Sequence, residues 1–293
     1  AKEADWIEHL IIASTHDYVM FFSNTGQVYW LKVHAIPQGG RAARGKPVIQ
    51  CISISNEERI AALVPVRTFG DDQWLMFATR NGTIKKTVLS AYGNVRTTGI
   101  NAINIAEGDE LIDVQVTEGN NDVVLATRLG QSIRFHEGDA REMGRATAGV
   151  KGIDLKDDDA LIGMVVVRRD SPLLVVSDKG YGKRTGLGEY RIQKRGGKGI
   201  ITFNCTSKTG NCIALKEVIP EDELMLITRA GVLIRVPVAG ISIIGRNTQG
   251  VRVMHLDEGD LVVDVARVVK EDDEGIEDPT GDEAPESPAE ASS

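Results

Sequence analysis

The sequence predicts an all-β fold assembled from repeated four-stranded blades. A turn motif recurs about every fifty residues, the apolar runs are too short for helices, and no long stretch repeats at helical spacing. The motif is a Ser or Thr three residues ahead of a Gly: Ser23 and Gly26, Thr79 and Gly82, Thr127 and Gly130, Ser177 and Gly180, Thr228 and Gly231. A second Gly follows at Gly45, Gly99, Gly149, Gly199 and Gly250, after 19, 17, 19, 19 and 19 residues. Successive second glycines are 54, 50, 50 and 51 residues apart, the signature of one supersecondary unit copied along a chain.

Each unit opens with a short run rich in β-branched and aromatic residues: Tyr18 to Phe22, Trp74 to Ala78, Val123 to Ala126, Leu173 to Val176, Leu224 to Ile227. Such runs suit strands buried on both faces. After the first Gly comes a second strand, such as Val28 to Leu31 or Val232 to Val236, which makes a Gly-joined hairpin. Beyond the second Gly, two further strands flank a mostly acidic turn, as at Glu107 to Glu110, Asp157 to Asp159 and Asp257 to Asp260. About four strands per unit describe a propeller blade. Asp5 to Ala13 reads as the closing strand of an earlier unit, so the chain is expected to start inside a blade.

The repeat is expected to fill residues 1–270 as one domain, with 271–293 a disordered acidic tail. From Glu271 to Ser293 there are ten acidic residues, no basic one and three prolines, too little apolar surface to offset ordering entropy. Removing those ten charges from the formal net of −8 leaves +2 for residues 1–270. The acidic balance thus belongs to the tail.

Several function classes find no support. No apolar run approaches the ~20 residues that span a bilayer, and no secretory leader is evident, so a cytoplasmic protein without a membrane partner is expected. Cys51, Cys205 and Cys212 form no C-x-x-C pair and fit a reduced setting. The five histidines are scattered without metal-ligand spacing, so no metal site is expected. His16 and Asp17 are adjacent, but no nucleophile elbow accompanies them, and no catalytic residue is assigned. No P-loop is present.

Chemistry concentrates in cations on the repeating turns. Past each first Gly stand Lys32, then Lys85 with Lys86, Arg134, Lys183 with Arg184, and Arg235. The second turns carry Arg41, Arg44 and Lys46, then Arg96, Arg145, Arg195 and Arg246. A repeating cation on a repeating turn forms a charged stripe suited to a nucleic-acid backbone. The alternative is a set of soluble loop tips that pair with the acidic turns beside them. Gln193-Lys194-Arg195-Gly196-Gly197-Lys198-Gly199 favours the stripe, with three cations and three glycines in seven residues. Glycines let backbone N–H groups approach a phosphate, and the flanking cations add charge.

This heptad resembles the gyrase A box, Q-[RK]-R-G-G-[RK]-G, of the DNA gyrase A C-terminal domain, and the repeats over residues 1–270 are similar to that family's. The resemblance implies a six-bladed β-pinwheel that binds double-stranded DNA and wraps it around a basic rim, in the service of negative supercoiling. It also implies partners, the rest of gyrase A together with gyrase B in an A2B2 assembly, with ATP, Mg2+ and the catalytic tyrosine outside this chain, which needs no cofactor. The isolated domain is expected to be monomeric. In the family the best-formed box lies in the first blade, whereas here it falls in the fourth complete repeat. Two other readings are the C-terminal domain of topoisomerase IV, whose box is usually degenerate and whose blades are fewer, and a protein-interaction propeller.

Overall fold

The computed structural model describes residue 11, residues 13–39 and 45–94, residue 96, and residues 98–268. The acidic tail lies outside the described residues. So does most of the strand expected over Asp5 to Ala13.

The Ser/Thr-x-x-Gly motif is a self-closing turn. In every unit the Gly N–H donates to the carbonyl of the Ser or Thr, at 3.0 Å for Gly26 to Ser23 and 3.1 Å for Gly180 to Ser177. The hydroxyl then accepts the N–H of the residue after the Gly, as from Gln27 at 3.1 Å, Thr83 at 3.2 Å and Val232 at 3.2 Å. These turns join the hairpins. The hairpins are β1 (Tyr18–Ser23) with β2 (Gln27–Lys32), followed by β3 (Ile60–Val66), then β4 (Trp74–Thr79) with β5 (Thr83–Val88). A short β6 (Ile100–Asn101) and a long β7 (Leu111–Thr117) complete the second unit. The third unit holds β8 (Asp122–Thr127), β9 (Gln131–His136), β10 (Val150–Lys151) and β11 (Leu161–Val167). The fourth holds β12 (Leu173–Ser177), β13 (Tyr181–Thr185), β14 (Ile200–Ile201) and β15 (Cys212–Glu217). The fifth holds β16 (Glu223–Thr228), β17 (Leu233–Pro237), β18 (Val251–Arg252) and β19 (Val262–Val268).

Units and blades do not coincide. The sheets run β3-β1-β2-β6, β7-β4-β5-β10, β11-β8-β9-β14, β15-β12-β13-β18 and β19-β16-β17. The short strand of each unit from the second to the fifth therefore crosses to the outer edge of the preceding blade. β3, β7, β11, β15 and β19 neighbour one another in that order and form the inner layer. Gly130 shows what the crossing requires. Its φ is +82°, its carbonyl accepts the N–H groups of Thr202 and Phe203, and an added Cβ would lie 2.1 Å from the Phe203 oxygen.

The described residues form five blades, which corrects the expectation of six. They contain five hairpins, and among them the last sheet has three strands. The cores lie between blades. Met76, Ala78 and Ile84 of one blade pack with Val123, Leu125, Ile133 and Phe135 of the next, while the alternate residues Leu75 and Phe77 pack toward Met20 and Phe22.

Candidate nucleic-acid interface

The residues three and four places after the first Gly occupy the middle of the second hairpin strand: Lys85 and Lys86, Ile133 and Arg134, Lys183 and Arg184, Ile234 and Arg235. Adjacent strand residues face opposite ways. Lys85 and Lys183, at the first position, therefore meet the second turn of the next unit, and Lys86, Arg134 and Arg184, at the next position, meet that unit's 3-10 turn.

Lys85 is fully buried. Its Nζ donates to the carbonyl oxygens of Ala102 at 2.5 Å, Arg145 at 2.6 Å and Gly144 at 3.3 Å. Lys183, equally buried, donates to Gly245 O at 2.7 Å, Thr248 Oγ1 at 3.0 Å and Arg246 O. Three acceptors match the three donors of an ammonium. Burial and the charge of Arg145 push the Lys85 amine down to about 7, and burial pushes Lys183 down to about 8.

The following position repeats a second contact. Arg184 donates to Ile241 O at 2.7 Å and Ala239 O at 3.3 Å, closing on the 3-10 turn Val238–Gly240. Arg134 reaches Leu187 O at 3.1 Å and Tyr190 O at 3.2 Å around Leu187–Glu189, and pairs with Asp122 at 2.7 Å. Lys86 meets Glu137 of the turn Glu137–Asp139 in an ion pair of 2.7 Å, with its Nζ 4.6 Å from the Trp74 ring centre. Burial would raise the Glu137 carboxyl, but Lys86, the Asn121 N–H and the Thr117 hydroxyl outweigh it and hold the carboxyl below its usual range.

Lys85, Lys86, Lys183 and Arg184 therefore do not belong to an exposed stripe. Their strands are interior, covered on the outside by the exchanged strand and along the face by the next unit. They latch blade to blade. Arg134 is mostly covered, and Arg235 is 60% exposed beside Glu223. At the first turns, Arg80 pairs with Glu110 of the acidic turn at 3.2 Å, as the loop-tip reading predicts.

The second turns dock in one recurring pattern. The carbonyls of Thr147, Gly197 and Thr248 accept the N–H groups of Asn104, Asp154 and Asn204 at 3.0, 2.9 and 3.0 Å. The box follows this pattern. The Gln193 N–H donates to Arg134 O at 2.8 Å and the Gly196 N–H to Gly152 O at 2.6 Å, so these two donors face protein, not a phosphate. Gly199 has φ +73°, and a Cβ there would lie 2.3 Å from Ser132 O. The glycines thus permit close blade contact. Arg195 donates to Asp139 O at 2.8 Å and Lys151 O at 3.0 Å, and Arg246 repeats the second contact on Ile201 O at 2.8 Å. Arg145, Arg195 and Arg246 are half-buried, while Lys194 and Lys198 are exposed.

Lys46 and Arg96 are also exposed, and Arg41 and Arg44 lie outside the described residues. Sequence reasoning missed Lys151 and Arg252, both exposed as the second residue of an outer-edge strand, and Arg141 and Arg191, both exposed just after a 3-10 turn. The signal was available, since alternation after Gly149 and Gly250 sends the second residue outward. The exposed Lys151, Lys194, Lys198 and Arg252 thus lie on or beside the outer strands of three successive blades.

Residues 17–67, 73–118, 121–168, 171–209 and 222–268 match the family described as DNA gyrase C-terminal domain, beta-propeller. The chain is 40% identical over 277 residues to the DNA gyrase A polypeptide of Salmonella typhimurium, covering 94% of this chain and 32% of that protein. It is 43% identical over 274 residues to the DNA gyrase A polypeptide of Staphylococcus epidermidis, covering 92% of this chain and 31% of that protein. The chain thus spans about a third of the length of these relatives. Among solved structures, the C-terminal domain of DNA topoisomerase IV superposes with a TM-score of 0.80 at 27% identity, covering 87% of this chain and 80% of that one. The DNA gyrase A C-terminal domain superposes with a TM-score of 0.75 over 87% and 84% of the two chains, at 24% identity, a likeness of fold.

Proposed function

Since the chain belongs to the DNA gyrase C-terminal domain family, we propose that it binds, bends and wraps duplex DNA around its outer edge without reading sequence. The carrying observation is the row of exposed cations, Lys151, Lys194, Lys198 and Arg252, on or beside the outer strands of consecutive blades. Phosphates repeat along a duplex, and cations repeating around a disc meet them without base contacts. Bending is costly, of order 1–6 kcal/mol for each 20–30 bp turned by 40–90°. Many phosphate contacts must therefore share the load, and a rigid edge helps. The buried latches supply that rigidity by fixing the second turns at Arg145 and Arg246 to the blade before each.

In this reading the domain performs no covalent chemistry. It feeds a wrapped segment to a strand-passage core formed by the rest of gyrase A with gyrase B, in an A2B2 enzyme of the bacterial cytoplasm. ATP and Mg2+ act there, not on this chain. A second reading, the corresponding domain of topoisomerase IV, draws on the five blades and the superposition at TM-score 0.80. The box at 193–199 and the gyrase A relatives favour gyrase.

Equilibrium binding of the chain to linear duplexes across a salt series tests the proposal. With roughly 6–10 phosphate contacts, affinity should fall about 10³- to 10⁵-fold between 50 and 200 mM salt, alike for unrelated sequences. A salt-independent constant or a strong sequence preference would overturn it.

A further inference from the structure

Cys205 and Cys212 hold their sulfurs 3.7 Å apart across the neck of the turn 206–211. The turn is tightly closed. Thr206 and Thr209 exchange side-chain and backbone hydrogen bonds, the Gly210 N–H donates to Thr206 O at 2.8 Å, and Gly210 has φ +74°. Both cysteines converge on Arg128 of the neighbouring blade, whose carbonyl accepts the Cys212 N–H at 2.9 Å and faces Cys205 Sγ at 3.7 Å. Cys212 opens β15, while Cys205 follows the segment through which the box, β14 and Phe203 cross to that blade. Both thiols are free, and Cys51 is the third.

We propose that Cys205 and Cys212 are a paired modification site, oxidised together by a peroxide to an intramolecular disulfide that staples the crossing strand to β15. The sulfurs need to close from 3.7 Å to about 2.05 Å, a movement within reach of side-chain rotation across a closed neck. The two thiols are unequal. Cys205 is half-buried and Cys212 fully buried. The contact with Cys212 lowers the Cys205 thiol below its ordinary range, while that same contact and burial raise Cys212. Cys205 is thus the attacking thiolate and Cys212 the resolving thiol.

The chemistry balances with hydrogen peroxide as oxidant. The Cys205 thiolate attacks one peroxide oxygen, the O–O bond breaks, and a sulfenic acid forms as hydroxide leaves. Cys212 sulfur then attacks Cys205 Sγ, the S–O bond breaks, and the S–S bond forms. The departing hydroxide takes the Cys212 proton as water. The first hydroxide takes the proton that Cys205 had released. Two thiols and one peroxide give one disulfide and two waters.

Trypsin cuts after Lys198, Lys208 and Lys216, so Cys205 and Cys212 fall in the separate peptides Gly199–Lys208 and Thr209–Lys216. The folded 293-residue chain is treated with hydrogen peroxide, alkylated, digested and weighed. The expected result is these two peptides joined, two hydrogens lost, and a fall in titratable thiols from three to one that dithiothreitol reverses. The oxidised chain should also melt a few degrees higher. The Cys212→Ser variant should carry Cys205 as sulfenic or sulfinic acid, and Cys205→Ser should keep Cys212 reduced. Oxidation confined to Cys51, or oxygen gain at Cys205 in the unaltered chain with no cross-link, would overturn the proposal.

Discussion

Lys85 Nζ lies 2.6 Å from the carbonyl oxygen of Arg145, so two cations that sequence placed on one charged stripe are instead joined through the backbone. One contributes a buried ammonium, the other a turn carbonyl of the next unit. Lys183 and Arg246 repeat the relationship two blades on.

The latch predicts a stability effect separate from DNA binding. Lys85→Met keeps the apolar stem and strands the Arg145 carbonyl, while Ala102 O keeps the Tyr92 hydroxyl and Gly144 O the Thr147 hydroxyl. Leaving buried acceptors unpaired costs about 1–3 kcal/mol. Urea unfolding should show that loss in Lys85→Met and in Lys183→Met. The salt slope of DNA affinity for either folded variant should match the parent.

The same lysines predict a pH dependence. Folded Lys85 titrates at about 7 and Lys183 at about 8, against ~10.4 for an unfolded lysine. Between those values the unfolded chain binds more protons, so their contribution to stability rises with pH and is lost as pH falls through the folded values. The urea midpoint should climb from about pH 7 to about pH 9 more steeply in the parent than in the Lys85→Met/Lys183→Met double variant. Parallel curves would contradict it.

Lys86 and Glu137 form a buried pair with side-chain exposures of 9% and 0%. Lys86→Met alone leaves an uncompensated carboxylate and should cost about 3–5 kcal/mol. Adding Glu137→Gln removes the charge while keeping an acceptor for the Asn121 N–H and placing an amide donor against the Thr117 hydroxyl oxygen. The double variant should recover much of the loss in a double-mutant cycle.

Much of this fold was legible because its strongest signal is local. The hydroxyl of Ser23 or Thr79 and the Gly three residues on close one turn by themselves, whatever surrounds them. The hairpin strands were legible too, since Trp74 to Thr79 is buried on both faces. The exchanged strands are only two residues long and pair with another unit, so no local pattern marks them. Cation burial was illegible for the same reason. Nothing within Lys183-Arg184 reveals that carbonyls of Gly245 and Ile241, some sixty residues on, will surround them. In the box, sequence located Lys194 and Lys198 on the surface but read Gly196 as a donor to phosphate, where its N–H serves Gly152.

The central claim is that exposed cations of the outer edge wrap DNA while the buried ones hold the edge rigid. The most direct measurement is the linking number of DNA circles relaxed by a type I topoisomerase with the chain bound. The parent chain should shift it, and Lys151→Ala/Lys194→Ala/Lys198→Ala should lose most of the shift with its melting temperature little changed. Lys85→Met, assayed below its melting range, should keep it. No shift from the parent chain, or equal loss from the outer-edge triple and the buried single variant, would contradict the account.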